Sequence, residues 1–170
     1  QRADGSNALW RSGVRGHFFR QSSFATHLLA TERNAVVVPG DMPLETLAPL
    51  GCGMQTGAGA ILNSLNVRAG AGLAILGTGA VGLAALMAGR IAGADPLIAV
   101  DRVSARLALA RELGATHTVD TDSQDLAPAL GAIVSGGLQF ALDTTSVTAL
   151  RRAALQALAP GGTLALVTGA

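Results

Sequence analysis

A glycine-rich hexapeptide between a short apolar strand and an apolar helix constrains the fold of this chain most strongly. The segment Gly77-Thr78-Gly79-Ala80-Val81-Gly82 matches the pattern G-x-G-x-x-G. Apolar residues 73–76 favour a strand before it, and residues 80–91 place small apolar side chains on one helix face after it. An acid, Asp101, ends the next apolar run about twenty residues later. This order predicts that residues 72–101 form a βαβ unit that binds a dinucleotide.

The three glycines of this loop are expected to have different structural roles. Gly77 permits the tight turn, Gly79 lets the backbone approach the pyrophosphate, and Gly82 lets the helix pack close to the strand. The helix N-terminus directs N–H groups and a partial positive charge at the phosphates. We therefore expect the whole loop to bind the cofactor: Gly77, Thr78, Gly79, Ala80, Val81 and Gly82. The alternative interpretation is a glycine-rich turn in another open α/β protein, such as a methyltransferase.

The acid at the end of the second strand indicates NAD rather than NADP. The Asp101 carboxylate would accept hydrogen bonds from the adenosine ribose, whereas it would repel a 2′-phosphate by about 4 kcal/mol per charge pair at an effective dielectric of 20. Arg102 leaves NADP open, because an adjacent Arg can accept a 2′-phosphate. Arg106 is a candidate for the ribose or the phosphates, or else a solvated helix charge. Ser104 is expected to cap the helix that follows Asp101.

Alternating strands and helices from residue 51 onward predict a doubly wound parallel sheet of the Rossmann type, an α/β fold. Strands are expected at residues 73–76, 97–100, 116–119, 140–142 and 163–167, which is about five of the six strands of a complete dinucleotide fold. Residues 1–50 differ, with short strands expected at 26–30 and 35–38. We therefore predict a small, mostly-β remnant of another domain at 1–50. Residues 51–170 would form an NAD-binding domain that is incomplete at its C-terminal end.

Composition narrows the class of protein. Hydrophobic residues make up 49% and charged residues 14% of the chain, which argues against disorder. The net charge of +1 offers no basic excess for nucleic acid or an anionic membrane. Residues 69–89 carry no charge, but glycines interrupt them, so a membrane span is not expected. The single cysteine, Cys52, cannot form an internal disulfide and favours a reducing, cytoplasmic compartment.

The segment Gly51-Cys52-Gly53 precedes the glycine loop by about twenty residues. A lone cysteine is usually a small core residue, although glycines on both sides at a helix start would leave its thiol exposed. Together with the glycine loop and Asp101, three segments carry a specific resemblance: residues 17–26 (HFFRQSSFAT), 51–59 (GCGMQTGAG) and 113–116 (LGAT). In this order they resemble the zinc-dependent medium-chain alcohol dehydrogenases, most closely the aryl- or benzyl-alcohol branch, from about residue 16 to residue 170.

The resemblance implies roles for individual residues. Cys52 corresponds to one ligand of the catalytic zinc. The other implied residues all contact or flank the bound cofactor: Thr56, Val81, Asp101, Arg106, Asp143, Thr144, Thr145, Val167 and Thr168. Of these, Thr56 and Val81 would lie at the nicotinamide ring, and Val167 and Thr168 in the loop that reads its carboxamide.

The resemblance also implies an activity, hydride transfer between NAD and a primary alcohol, aromatic in this branch, whose oxygen binds zinc. The intact protein would be a homo-oligomer that acts on a small alcohol or aldehyde. The family's remaining zinc ligands and last strand do not occur in this sequence. We therefore expect a fragment that lacks most of the catalytic domain and the C-terminal end, and that alone binds no zinc and oxidises no alcohol.

Two other functions stay open. One is a zinc-free quinone or enoyl reductase of the same superfamily, against which Cys52 argues. The other is a non-catalytic nucleotide-binding module.

Overall fold

The structure, a computed structural model, describes residues 26–27, 30–33 and 35–167. The chain divides into two units between Met42 and Pro43. The described residues of the first unit contain no strand. The strand expected at 35–38 is therefore wrong: Val36 and Val37 are 88% and 98% exposed, and the described residues of this unit offer no strand to pair with their backbone groups. The strand expected at 26–30 falls partly outside the described residues.

The second unit contains a sheet of five parallel strands in the order β3-β2-β1-β4-β5. The strands are β1 (Leu73–Leu76), β2 (Leu97–Asp101), β3 (His117–Asp120), β4 (Leu138–Asp143) and β5 (Leu158–Leu166). Leu76 of β1 pairs with Val100 on one side and with Asp143 on the other, so the carboxyl ends of three strands meet at one edge. The predicted doubly wound sheet of five strands is confirmed. Its order reverses between β1 and β4, the position at which such folds bind ligands.

The helices are α1 (Leu44–Leu47), α2 (Gln55–Gly59), α3 (Ala80–Ala92), α4 (Ser104–Leu113), α5 (Leu126–Ile133) and α6 (Thr148–Gln156). Two π-helical turns, Leu50–Met54 and Ala60–Ser64, flank α2. In the part of the chain that the structure describes, no helix is long and apolar enough to cross a membrane.

Helices cover both faces of the sheet, and the alternation of side chains along β1 shows how. Leu73 and Ile75 belong to a core that also contains buried residues of α3 and α4. Ala74 and Leu76 belong to a second core, which contains buried residues of α5 and α6. Because successive strand residues point to opposite faces, each core lies on one face of the sheet. A strand buried on both faces reads as the continuous apolar run that the sequence shows.

Gly57 lets α2 pack directly against α3. A Cβ atom at this position would lie 2.1 Å from the Val81 carbonyl oxygen and 2.8 Å from the Ala85 nitrogen. The backbones of the two helices therefore touch at a point where no side chain fits.

Replacing Gly57 with alanine should lower the free energy of unfolding by on the order of 2 kcal/mol, because the added methyl group forces the helices apart. Urea unfolding followed by circular dichroism measures this change. Gly59→Ala in the same helix is the matched control, since the nearest atom to its added Cβ lies 4.0 Å away. That variant should be neutral or up to about 1 kcal/mol more stable. Equal effects at both positions would contradict the packing argument.

Candidate functional site

A cleft of ≈ 550 Å³ opens at the edge of the sheet where β1, β2 and β4 end. The turn after β1 and the start of α3 contribute Gly77, Gly79, Ala80, Val81 and Gly82 to its lining. The end of β2 and the segment after it contribute Asp101, Arg102 and Arg106. The far wall contains Thr144, Thr145 and Val167, which follow β4 and β5. The cleft is also lined by Thr121, Val147 and Leu150, which no motif in the sequence marks.

The three glycines of the turn differ in what surrounds them. Gly77 has φ of +88°, and a Cβ there would lie 2.5 Å from Thr144 Oγ1. A Cβ on Gly82 would lie 1.8 Å from the Gly77 carbonyl oxygen, so the first turn of α3 rests directly on the end of β1. At Gly79, by contrast, no atom lies within 4 Å of the added Cβ. The protein's own packing thus requires glycine at 77 and 82, whereas position 79 faces space that a ligand can enter.

Asp101 is the buried acid of the site. Its Oδ2 accepts hydrogen bonds from the Thr78 backbone N–H at 2.7 Å and from the Thr78 hydroxyl at 2.8 Å. Its Oδ1 accepts from the N–H groups of Arg102 at 2.8 Å and Val103 at 3.0 Å. Thr78, expected to contact a cofactor, is only 1% exposed. Its side chain is therefore directed at Asp101 and acts on the cleft through that carboxylate.

Burial and hydrogen bonding act in opposite directions on the acidity of Asp101. Burial raises the pKa of the carboxyl group, but the hydrogen bonds from Thr78, Val103 and Arg102 lower it by more, so the pKa lies below its ordinary value of 3.8. Asp101 therefore carries a negative charge at neutral pH and presents it to the cleft.

A second buried acid, Asp143, ends β4 and is fully buried. Its Oδ1 accepts from the Thr145 N–H at 2.8 Å and from the Thr145 hydroxyl at 2.7 Å, and its Oδ2 accepts from Arg151 Nε at 2.9 Å. Burial raises the pKa of Asp143, and the Thr145 hydrogen bonds and the Arg151 guanidinium lower it below the ordinary value. Sequence reasoning missed Arg151, because nothing in the sequence distinguishes it from the adjacent Arg152.

The candidate zinc ligand lies near the cleft but outside its lining. Cys52 is exposed in the π-helical turn that precedes α2. A Cβ on neighbouring Gly53 would lie 3.8 Å from the side chains of Ala80 and Val81, so this turn packs against the start of α3. Thr56 is exposed in α2, and Thr168 lies outside the described residues.

A catalytic zinc ion needs several ligands close together. The described part of the chain contains no group of three or more His, Cys, Asp or Glu residues that could hold a metal ion. A catalytic zinc takes three protein ligands, so Cys52 supplies at most one of them, and the described residues do not fit a zinc site by themselves.

The Thr78 hydroxyl should stabilise the fold through the charge on Asp101. Thr78→Val keeps the shape of the side chain but removes one hydrogen bond to a charged acceptor, which should cost about 2 kcal/mol of unfolding free energy at neutral pH. Because the folded-state pKa of Asp101 is depressed, its stabilising contribution is present above pH 3.8 and is lost as the pH falls through the folded pKa. The difference between parent and variant should therefore shrink in acid.

Chemical unfolding at a series of pH values from neutral to acidic checks this prediction. Thr78→Ser, which retains a hydroxyl, is the matched control and should follow the parent. A difference between Thr78→Val and the parent that stays constant at every pH would show that the hydroxyl does not act through the carboxylate.

Comparisons with known proteins match the chain to a family and to solved structures. Residues 80–169 match the family model described as Zinc-binding dehydrogenase. Geraniol dehydrogenase of Castellaniella defragrans is 48% identical over 170 residues, which cover 98% of this chain and 46% of that protein. A probable alcohol dehydrogenase of a Pseudomonas species is 40% identical, with 98% of this chain and 54% of that protein covered. The chain thus spans about half the length of these curated relatives.

Two crystal structures match the fold closely. The alcohol dehydrogenase zinc-binding domain protein from Burkholderia ambifaria has a TM-score of 0.86 at 50% identity, covering 98% of this chain and 46% of that one. Benzyl alcohol dehydrogenase from Acinetobacter calcoaceticus has a TM-score of 0.84 at 47% identity, covering 91% and 42%. These matches confirm the resemblance drawn from the glycine loop, Asp101 and the Gly51-Cys52-Gly53 segment. The chain belongs to the zinc-binding dehydrogenase family.

Proposed function

We propose that the second unit of the chain binds NAD as the cofactor-binding part of a zinc-dependent alcohol dehydrogenase. The observation that carries this proposal is the cleft between the glycine turn and Asp101, at the point where the strand order reverses. Dinucleotides bind at such switch points, with their pyrophosphate at the N-terminus of the helix that follows the first strand. Open space at Gly79 and the exposed start of α3 support this placement.

The two halves of the cleft fit the two halves of a dinucleotide. Asp101 ends β2, on one side of the switch point, where the adenosine ribose of such cofactors binds. Thr144, Thr145 and Val167 follow β4 and β5 on the other side, and we assign them to the second nucleoside, which carries the nicotinamide. In the described residues these groups would hold and orient the cofactor, and the bound nicotinamide would supply the hydride chemistry.

The charge on Asp101 supports NAD over NADP. A 2′-phosphate on the adenosine ribose would meet a buried carboxylate that is ionised at neutral pH. The repulsion is about 4 kcal/mol per charge pair at an effective dielectric of 20. Arg102 and Arg106 line the same cleft and would attract the phosphate, which is the observation that favours NADP as the second candidate.

For the whole protein we propose oxidation of a small primary alcohol, or reduction of the matching aldehyde, by a homo-oligomer in the cytoplasm. Relatives named for geraniol and for benzyl alcohol support an aromatic or otherwise unsaturated alcohol. Cys52 would be one of three protein ligands to a zinc ion that, when bound, acidifies the alcohol oxygen. The described residues do not complete that site, so the cofactor is the ligand to test on this chain.

Calorimetric titration of the chain with NAD and NADP tests the cofactor assignment. The chain should bind NAD more tightly than NADP. In Asp101→Gly, the dissociation constant for NADP divided by that for NAD should fall by about tenfold or more, because the charge that repels the 2′-phosphate is removed. Asp122→Gly, which removes an exposed carboxylate after β3, should leave the ratio unchanged. No binding of either dinucleotide by the folded chain would contradict the proposed function. Unchanged discrimination in Asp101→Gly would contradict the choice of NAD.

A substitution at position 79 should affect cofactor binding without affecting folding. Gly79→Val should leave the unfolding free energy within about 0.5 kcal/mol of the parent, because its side chain enters open space and its φ of −75° suits any residue. It should weaken NAD binding by about tenfold or more, because the side chain blocks the approach of the pyrophosphate. Gly82→Val is the contrasting variant and should destabilise the fold itself, since its Cβ meets the Gly77 carbonyl. Full NAD affinity in Gly79→Val would place the pyrophosphate elsewhere.

A further inference from the structure

The loop between β4 and α6, residues 144–147, forms one wall of the cleft and is held from two sides. Thr144 Oγ1 lies 2.8 Å from the Leu76 carbonyl oxygen and 3.2 Å from that of Gly77, so it ties the loop to the glycine turn. Thr145 is tied to Asp143 through both its N–H and its hydroxyl, and its Oγ1 also accepts the Val147 N–H at 3.1 Å. The position of this wall therefore depends on the orientation of the Asp143 carboxylate.

Arg151 of α6 binds the Asp143 carboxylate. Its Nε donates to the Asp143 oxygen that Thr145 leaves free. Arg151 is not part of the cleft lining, so it reaches a ligand only through Asp143 and Thr145. Its Nη2 is buried and has no hydrogen-bond partner among the described residues. Such an ion pair contributes little to the free energy of unfolding. Buried ion pairs rarely stabilise a fold more than a well-packed apolar pair does, and an unpartnered N–H adds a desolvation cost.

We propose that Arg151 is a positioning residue for the nicotinamide half of the cofactor, acting through Asp143 on the wall formed by Thr144 and Thr145. The inference rests on the proposed function, because it assigns a role within the same dinucleotide site. The proposed role is specific to one half of that site. The wall follows β4, whereas Asp101 is the last residue of β2, on the other side of the switch point. Loss of Arg151 should therefore weaken binding of the dinucleotide but not of a ligand confined to the adenosine half.

The test compares the dissociation constants of NAD and AMP for the parent chain and Arg151→Gln. AMP carries the adenosine and one phosphate, and so occupies only the half of the cleft at Asp101. Arg151→Gln should bind NAD about tenfold more weakly, the effect of losing one charge-assisted hydrogen bond that orients the wall. Its AMP affinity should stay within about twofold of the parent. Arg152→Gln is the matched control, since Arg152 is the exposed neighbour on the same helix. This variant should bind both ligands as the parent does.

Removing Arg151 alone leaves a buried carboxylate without its cation, which can prevent folding. The double variant Asp143→Asn/Arg151→Gln removes both charges and keeps an oxygen that can accept from Thr145. It should fold and show the same split, weak NAD and unchanged AMP binding. Equal weakening of NAD and AMP, or parent-like NAD binding by either folded variant, would overturn the positioning role while leaving the proposed function intact. A parent chain that binds neither ligand would overturn both.

Discussion

The close contact between α3 and the end of β1 determines the geometry of the site. Gly82 places the first turn of the helix against the Gly77 carbonyl oxygen, and Gly57 brings α2 onto the same helix at Val81. Each glycine inside a helix costs up to about 1 kcal/mol relative to alanine, so the packing obtained must offset that cost. The result is a helix whose N-terminus lies at the edge where β1, β2 and β4 end, with its N–H groups available to an anion.

Two buried carboxylates hold the loops on either side of this contact, and they differ in charge balance. Asp143 faces the Arg151 guanidinium, the ion pair that the structure shows among the described residues. Asp101 accepts hydrogen bonds from Thr78, Arg102 and Val103, and in the described part of the chain no cation forms an ion pair with it. Hydrogen bonds stabilise its charge without cancelling it, so Asp101 acts on ligands as a negative group while Asp143 is largely neutralised. In the proposed function, the unpaired charge of Asp101 discriminates between cofactors, whereas the paired Asp143 positions the wall formed by Thr144 and Thr145.

Local signals predicted much of this arrangement. The G-x-G-x-x-G segment couples a strand, a turn and a helix within a few residues, and β1 falls at Leu73–Leu76 as expected. A prediction that depends on a partner distant in sequence is wrong. The β-branched run at 36–38 favours a strand, yet a strand needs a neighbour, which the described residues of that unit do not supply. One local signal is also wrong: the serine at position 104 favours an N-cap, but the N-cap residue is Val103, whose N–H donates to Asp101 Oδ1.

The same reasoning explains why Arg151 could not be predicted. It lies in a helix, beside a second arginine, and only the tertiary packing of α6 brings it to Asp143 at the end of β4. Thr78 is a similar case, because the glycine pattern treats its position as any residue, whereas its hydroxyl is buried against Asp101. A position that the pattern leaves open to any residue can thus still carry a hydrogen bond to a buried charge.

The packing of α2 on α3 also links the proposed metal ligand to the proposed cofactor site. Cys52 lies in the turn before α2, and neighbouring Gly53 approaches the side chains of Ala80 and Val81 at the start of α3. At Gly57 the backbones of α2 and α3 touch without intervening side chains, so this packing sets the position of Cys52 relative to the start of α3.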